Sequence, residues 1–318
     1  MLLQILGGSG FIGSHLCELL NKKKKIFNIL DIKESFFFPR NFVYTNILDL
    51  KILKKNIKNN SIIINLAAIH SDDHNNIKDY YNTNFQGAKN ICSIADKKNI
   101  KKIIFVSSVA VYGFAKKFCD ENGKINPYNH YGRSKFLAEK AYLSWQSKMP
   151  LKRSLVIIRP TVVFGERNRG NVYNLFKQIN SNFFFIIGDG LNIKSLAYVG
   201  NVTNFINHCL NFKNGVHIFN YVDKPQLSTN DLVKLIKLYL NKDIKTIKIP
   251  YLVGLVIGLF CDIISMIFKK KLNISYLRVK KFVTNSCYTS KYLNNLKFKP
   301  YYNLKQALKK TINYEFNK

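Results

Sequence analysis

Three glycines near the head of the chain constrain the fold more than any other feature. Gly7-Gly-Ser-Gly10-Phe-Ile-Gly13 follows the apolar run Leu2–Leu6 directly and opens the helical period Ile12–Leu20. A strand that turns through glycines at 7, 10 and 13 into a helix builds an anion cradle. Gly7 permits the tight turn, Gly10 lets the backbone approach a pyrophosphate, and Gly13 lets the helix lie close to the strand. The helix N-terminus then faces the negative charge. Gly7, Gly10, Phe11, Ile12 and Gly13 are therefore the expected pyrophosphate contacts.

The rest of the first half agrees with that opening. Ile26–Leu30, Ser61–Ala67, Ile103–Val106 and Leu155–Ile158 are short apolar runs of buried-strand type. Between them lie helical periods at Tyr80–Lys97 and Tyr131–Trp145. Buried strands alternating with helices predict a Rossmann-type, doubly wound parallel α/β sheet. With 318 residues there is room for a second unit. The expected division is a dinucleotide-binding domain over 1–165 and a smaller α/β substrate domain over 166–318, with segments such as 196–210 free to return to the first. In the second half, helices are expected at Asn171–Ile179, Val202–Leu210, Asp231–Leu240 and Leu304–Tyr314, and strands at Phe183–Ile187 and Val216–Tyr221. Ser228-Thr-Asn-Asp231 has the pattern of a helix N-cap.

Composition removes several function classes. The six cysteines are scattered without a CxxC or a Cys/His cluster, so no metal site or disulfide scaffold is expected. The stretch Met1–Leu6 lacks the basic flank and cleavage site of a secretory signal, which predicts a cytoplasmic protein. The formal charge of +32 would favour anions. Only seven of the cations are arginines, however, and the chain is crowded with Lys, Asn, Ile, Phe and Tyr, the residues that AT-rich codons encode. Base composition is thus a sufficient source of the charge, and with no nucleic-acid-binding motif present a nucleic-acid partner is not expected.

The second expected strand ends at Asp31, eighteen residues past Gly13. A carboxylate there accepts hydrogen bonds from ribose hydroxyls and repels a 2′-phosphate, so the cofactor is expected to be NAD despite the nearby Lys33. Asn46 and Ile47, read as the end of the third strand, fall beside the adenine. Leu66, Ala67 and Ala68 give small residues where the cofactor crosses the sheet edge. The chemistry is expected from Tyr131-Gly-Arg-Ser-Lys135. Residues four apart on a helix share a face, and a neighbouring cation favours the phenolate, so Tyr131 can serve as a base near neutral pH. Ser107-Ser108, at the end of the fifth strand, delivers a hydroxyl to the same sheet edge.

The glycine loop, Asp31, Ser108, Tyr131, Lys135 and the strand end Arg159-Pro160 resemble, in this order, the extended short-chain dehydrogenases/reductases, the NAD-dependent sugar epimerases and dehydratases. The resemblance implies that Ser108 polarises the substrate oxygen, that Tyr131 exchanges its proton, and that Lys135 holds the ribose. It also implies that Asn84, Ser107 and Pro160 line the cofactor side, with Val109 beside the substrate. Dehydratases of the family carry a carboxylate next to the serine; here the residues are Val109-Ala110, which points to epimerisation or simple oxidoreduction.

Longer stretches resemble one subfamily, the bacterial 4-epimerases of N-acetylglucosaminyl-diphospho-undecaprenol. These are Asn129–Lys135, Ile158–Ile179, Ala197-Tyr-Val-Gly-Asn201, Tyr221-Val-Asp-Lys-Pro225 and Arg278-Val-Lys-Lys-Phe282. Epimerases of UDP-sugars carry an Asn where this chain has Val162 and an Arg near Lys194. Asn171, Arg167, Arg169, Lys194 and Arg278 are the candidate contacts to a substrate diphosphate. The substrate is a lipid-linked or a nucleotide-linked amino sugar. A net dehydrogenase or reductase and a non-catalytic dinucleotide sensor are the rival readings, and oligomeric state is open between monomer and homodimer.

Tyr251–Phe268 is apolar apart from Asp262 and is followed by Lys269–Lys271. Its eighteen residues barely reach a membrane span. The segment reads equally as a core helix or as an interfacial contact with an anionic membrane, which would make the protein peripheral on the inner face of the cell membrane.

Overall fold

A computed structural model describes residues 1–70, 76–114, 118–181, 183–268, 272 and 275–317. Its strands are β1 (Leu3–Leu6), β2 (Phe27–Asp31), β3 (Phe42–Tyr44), β4 (Ile62–Asn65), β5 (Lys102–Val106), β6 (Ser154–Pro160), β7 (Val162–Phe164), β8 (Phe183–Ile187), β9 (Ile193–Lys194), β10 (Leu196–Tyr198), β11 (Gly215–Tyr221), β12 (Leu227–Ser228) and β13 (Lys245–Ile249). Seven of them form one parallel sheet in the order β11-β6-β5-β4-β1-β2-β3. The helices are α1 (Phe11–Lys22), α2 (Leu50–Asn56), α3 (Ile77–Tyr80), α4 (Gly87–Lys97), α5 (His130–Ser147), α6 (Asn171–Ile179), α7 (Val199–Cys209), α8 (Thr229–Leu240), α9 (Tyr251–Ile267), α10 (Tyr276–Val283) and α11 (Leu304–Phe316).

The period of two along each strand assigns side chains to the two faces of the sheet. Leu3, Ile5, Ile62, Ile64, Ile104, Val106, Val156 and Ile158 pack with Leu16 and Leu20 of α1 and Val202 and Phe205 of α7. Leu6, Ile63, Ile103, Phe105, Leu155 and Ile157 pack against Ile91 of α4 and Ala138, Tyr142 and Trp145 of α5. A sheet covered on both faces favours apolar residues on both sides of each strand, which is why these strands read as largely apolar runs. A separate core joins α6, α8, α11, β8 and β10 through Phe176, Ile186, Leu196, Ile236 and Leu308.

The strand order reverses between β1 and β4. Ligands of open α/β sheets bind at such a switch point, beyond the carboxyl ends of the strands. Gly7 (φ +75°) sits at that crevice, where an added Cβ would come within 2.5 Å of the Ala67 nitrogen. The loop can thus lie against the end of β4 only if residue 7 is glycine.

Some elements differ from the sequence reading. The third strand ends at Tyr44, so Asn46 and Ile47 lie in the turn beyond it, where the Asn46 side chain accepts from the Leu48 nitrogen. The helix expected from Tyr80 to Lys97 is broken into α3, a π-helical turn over Tyr81–Gln86, and α4. The cluster Lys269–Lys271 lies outside the described residues. Among the described residues no helix is long and apolar enough to cross a membrane, and no group of His, Cys, Asp and Glu could hold a metal ion. All six cysteines are free thiols.

Candidate active site

The glycine loop and Asp31 form one unit. Asp31 accepts from the Ser9 nitrogen (3.0 Å) and the Lys33 nitrogen (3.1 Å), while Ser9 Oγ donates to the Lys33 carbonyl. Each carboxylate oxygen has a second lone pair, so the same group can still accept from a ribose hydroxyl. Gly10 caps α1 without a side-chain bond, and a Cβ on Gly13 would collide with the Gly8 carbonyl oxygen at 2.5 Å. The first-turn N–H groups of α1, at Phe11, Ile12 and Gly13, have no partner within the helix, which suits them to an anion. Leu66 donates to the Leu6 carbonyl and Ala67 to the Asn65 side chain, so the end of β4 is fixed beside the loop. This cradle fits a dinucleotide.

α5 brings Tyr131 and Lys135 to the same sheet edge. Asn129 caps the helix through the Gly132 nitrogen (2.8 Å). Gly132 allows the close approach that matters here: a Cβ on it would lie 2.4 Å from the Ala110 carbonyl oxygen. That contact presses the start of α5 onto the 3-10 turn Val109–Tyr112, which Ser108 caps by accepting from the Ala110 nitrogen (3.1 Å). The serine turn and the tyrosine helix are thus held together by a missing side chain. Val109 is buried in the small cluster with Val111, Tyr112 and Tyr288 rather than standing out from the turn.

Lys135 is 2% exposed; its ammonium donates to the Val106 carbonyl (2.6 Å) and lies 4.3 Å from the centre of the Phe105 ring. Burial lowers its pKa to about 7, against the opposing pull of Glu139. Asn84, in the π-helical turn, accepts from the Ile69 nitrogen, donates to its carbonyl, and donates to Ser134 Oγ (2.8 Å). It ties the loop after β4 to the residue preceding Lys135.

Beneath these residues lies a buried polar chain that the sequence reading did not single out. Ser107 Oγ donates to Glu139 (2.5 Å), Arg159 makes two bonds to the same carboxylate (2.9 and 2.6 Å) and a third to Tyr112 Oη (2.6 Å), and Tyr112 donates to Asn220 (2.8 Å). Glu139 and Arg159 are both almost wholly buried. Burial opposes the charge on Arg159, but its bonds to Glu139 more than offset this and raise its pKa. Ser107 is therefore turned inward while Ser108 stays at the turn. Two signals were available in the sequence: a carboxylate four residues after Lys135 on the same helix face, and an arginine ending an otherwise apolar strand.

The candidate diphosphate contacts are dispersed. Arg167 pairs with Glu18 of α1 (2.5 Å) and Arg169 with Glu315 of α11 (3.0 Å), so both guanidinium groups link the loop after β7 to neighbouring helices. Lys194 is half-buried, its desolvation lowers its pKa to about 8, and it donates to the carbonyls of Lys281 and Thr284 at the end of α10. Asn171 is the exposed first residue of α6, Arg278 lies on the exposed side of α10, and Pro160 ends β6 in the core of the sheet. The motifs at 197–201 and 221–225 meet through Asp223, which accepts from the Tyr198 nitrogen and the Asn201 side chain. Burial raises the Asp223 pKa to about 6.

The family model of the NAD dependent epimerase/dehydratase family matches residues 3–221. The chain belongs to this family. That span contains the glycine loop, Asp31, the serine turn, α5 and the last strand of the sheet. Members of the epimerase family are also similar over greater lengths. The N-acetyl-alpha-D-glucosaminyl-diphospho-ditrans,octacis-undecaprenol 4-epimerase of Escherichia coli O157:H7 is 43% identical over 313 residues, covering 98% of this chain and 94% of that protein. A putative UDP-glucose 4-epimerase of Methanocaldococcus jannaschii is 32% identical over 250 residues, covering 73% of this chain and 80% of the relative. In fold, the solved UDP-N-acetylglucosamine 4-epimerase of Methanobrevibacter ruminantium superposes with a TM-score of 0.78 at 22% identity, covering 99% of this chain and 98% of that one.

Proposed function

We propose that this chain is an NAD-dependent sugar 4-epimerase that interconverts N-acetylglucosaminyl- and N-acetylgalactosaminyl-diphospho-undecaprenol in surface polysaccharide biosynthesis. The observation that carries the reading is the 43% identity to the lipid-linked 4-epimerase along 98% of the chain. The engagement of Lys194 with the end of α10, and Val162 in place of an asparagine, support a site not built around a nucleotide diphosphate.

Bound NAD supplies the acceptor and donor of hydride at C4. In this reading the pyrophosphate rests on Gly7–Gly13 and the adenosine ribose on Asp31. Tyr131, as phenolate, takes the proton of the C4 hydroxyl and later returns it to the same oxygen, while Ser108 Oγ hydrogen-bonds that oxygen. Lys135 in its charged form favours the phenolate and holds the nicotinamide-side ribose. The turn Val109–Tyr112 carries no carboxylate, and Glu121 is occupied by the Asn220 nitrogen and the Lys291 nitrogen. On the turn Val109–Tyr112 no carboxylate base thus stands beside Ser108 to remove a C5 proton, which favours reduction of the 4-keto sugar over dehydration. A lipid-linked substrate would keep the enzyme at the cytoplasmic face of a membrane.

The test is to incubate the purified chain and NAD with the lipid-linked sugar and, separately, with UDP-N-acetylglucosamine, and then to quantify both hexosamines after hydrolysis. Conversion of the lipid-linked sugar without net NADH is expected. Conversion of the UDP-sugar alone would assign the nucleotide-linked substrate. Stoichiometric NADH would assign a dehydrogenase.

A further inference from the structure

α9 has its apolar residues on the wrong side for a core helix. The only residues it buries are Gly254 and Gly258. They are four apart and share a face. A Cβ on Gly254 would lie 2.4 Å from Ile187 Cγ2, and one on Gly258 would lie 2.9 Å from Tyr276 Cα. The glycine face thus lies close to β8 and α10, and the larger side chains are left outside. Asp262, the only charged residue in the helix, accepts from the Tyr276 nitrogen and so is directed at α10. Leu252, Val256 and Phe260 are 73%, 67% and 63% exposed and form one stripe, which Ile263 and Ile267 continue at 44% and 64%. A continuous exposed apolar face of this kind marks an interaction surface.

Its chemistry selects among occupants. A protein interface carries roughly one hydrogen bond per 100–200 Å², and the outer stripe of α9 has no polar side chain to make one, whereas lipid asks for none. Its surroundings are basic: Lys245 and Lys248 on the strand entering α9, and Arg278 and Lys280 on α10, against Asp243 and the inward-directed Asp262. That charge complements an anionic leaflet. At 17 residues the helix is about 25 Å long and too short to cross a bilayer, so it can only lie in the interface. The hairpin is also joined to the reaction turn. The segment after α10 pairs with Ile193 and Ser195 through Ser286, and two residues later Tyr288 Oη donates to the Gly113 carbonyl while its ring lies beside Tyr112.

We propose that α9, supported by α10, docks the protein onto an anionic lipid bilayer, with Leu252, Val256 and Phe260 at the boundary of headgroups and acyl chains. The purpose of docking rests on the lipid-linked substrate proposed above. The docking itself does not, because its test contains no sugar and can fail while epimerisation stands.

The full chain with NAD is mixed with sucrose-loaded vesicles of phosphatidylcholine, with and without phosphatidylglycerol, and sedimented. Stronger binding to the anionic vesicles is expected, weakened but not abolished by salt, because burial of the stripe is not screened. The combined variant Leu252→Gln/Val256→Gln/Phe260→Gln should reduce binding at least about tenfold while keeping the thermal midpoint and NAD affinity of the parent. Binding to neither vesicle, or undiminished binding by a folded variant, overturns the proposal. So does a parent dimer that the variant converts to monomer without any vesicle binding, which would give the face to a second copy of the chain. Should the triple variant fail to fold, Phe260→Trp decides. Brominated lipid should quench the introduced indole but not Trp145, which is 1% exposed; equal emission with and without brominated vesicles overturns docking.

Discussion

The floor of the active site and the α9 hairpin break the ordinary rule of burial in opposite directions. Beneath Lys135, a carboxylate and a guanidinium are withdrawn from water, and each finds its partners inside the protein: Glu139 with Ser107 and Arg159, Arg159 with Tyr112. On α9, large apolar side chains are left in water and find no partner inside, because the face turned inward is glycine. The first arrangement is closed. It fixes the serine turn and the tyrosine helix in one geometry before any ligand arrives. The second is open and gains its stabilisation only from something outside the chain. A buried charge with a complete set of partners thus speaks for precision, and an exposed apolar stripe speaks for a surface that meets another phase.

Substitutions can break or sharpen this contrast. The largest effect is expected at the chemistry that the closed region supports. Tyr131→Phe should lower turnover by about 10²–10⁴ with NAD affinity unchanged, as read by product formation and cofactor titration; activity within a few-fold of the parent would remove the assigned base. Next comes the buried pair. Glu139→Ala leaves Arg159 uncompensated and should cost about 3–5 kcal/mol in urea unfolding, whereas replacing both residues with methionine should cost far less. Equal losses would show that the pair does not act as a closed unit.

A third effect depends on pH. Lys135 titrates at about 7 in the folded protein against an ordinary 10.5. Between those values the unfolded chain binds more protons than the native one, so this group's contribution to stability rises with pH and is lost as pH falls through about 7. Urea midpoints of the NAD-free parent should therefore gain on those of Lys135→Met as pH is raised across that window, and a constant difference would contradict the burial of a titrating ammonium. The smallest effect belongs to the open region. Each of Leu252→Gln, Val256→Gln and Phe260→Gln should change stability by no more than about 0.5 kcal/mol. Losses of core magnitude would make α9 a packed helix after all.

The layout of the sheet was legible in the sequence because strands buried on both faces are largely apolar, and because the glycine loop fixes where the first helix starts. That one helix carries Tyr131 and Lys135, and that the turn capped by Ser108 follows the fifth strand, was legible as helix spacing plus a strand end. Other features depend on contacts that local pattern does not encode. The π-helical turn in the helix read as Tyr80–Lys97 coincides with the tertiary bonds of Asn84 to Ile69 and Ser134. The strand Lys245–Ile249 carries Lys245, Thr246 and Lys248 among its five residues, pairs in a two-stranded sheet and lacks the apolar run of a buried strand. Arg167, Arg169 and Lys194 read as available cations, yet each has a partner far away in sequence: Glu18, Glu315, and the carbonyls that end α10. Nor could the apolar run at Tyr251–Phe268 reveal which of its faces would be covered. Only the packing of Gly254 and Gly258 against β8 and α10 shows that the large residues lie outward.

The most direct test of the central claim, that this site oxidises and re-reduces the sugar at C4, is the fate of the C4 hydrogen. N-acetylglucosaminyl-diphospho-undecaprenol carrying deuterium at C4 is converted by the purified chain in ordinary water, and the hexosamines are released and weighed by mass spectrometry. The account predicts an N-acetylgalactosamine product that retains the deuterium, with no net change in NAD. A product that has exchanged C4 for solvent hydrogen would contradict it.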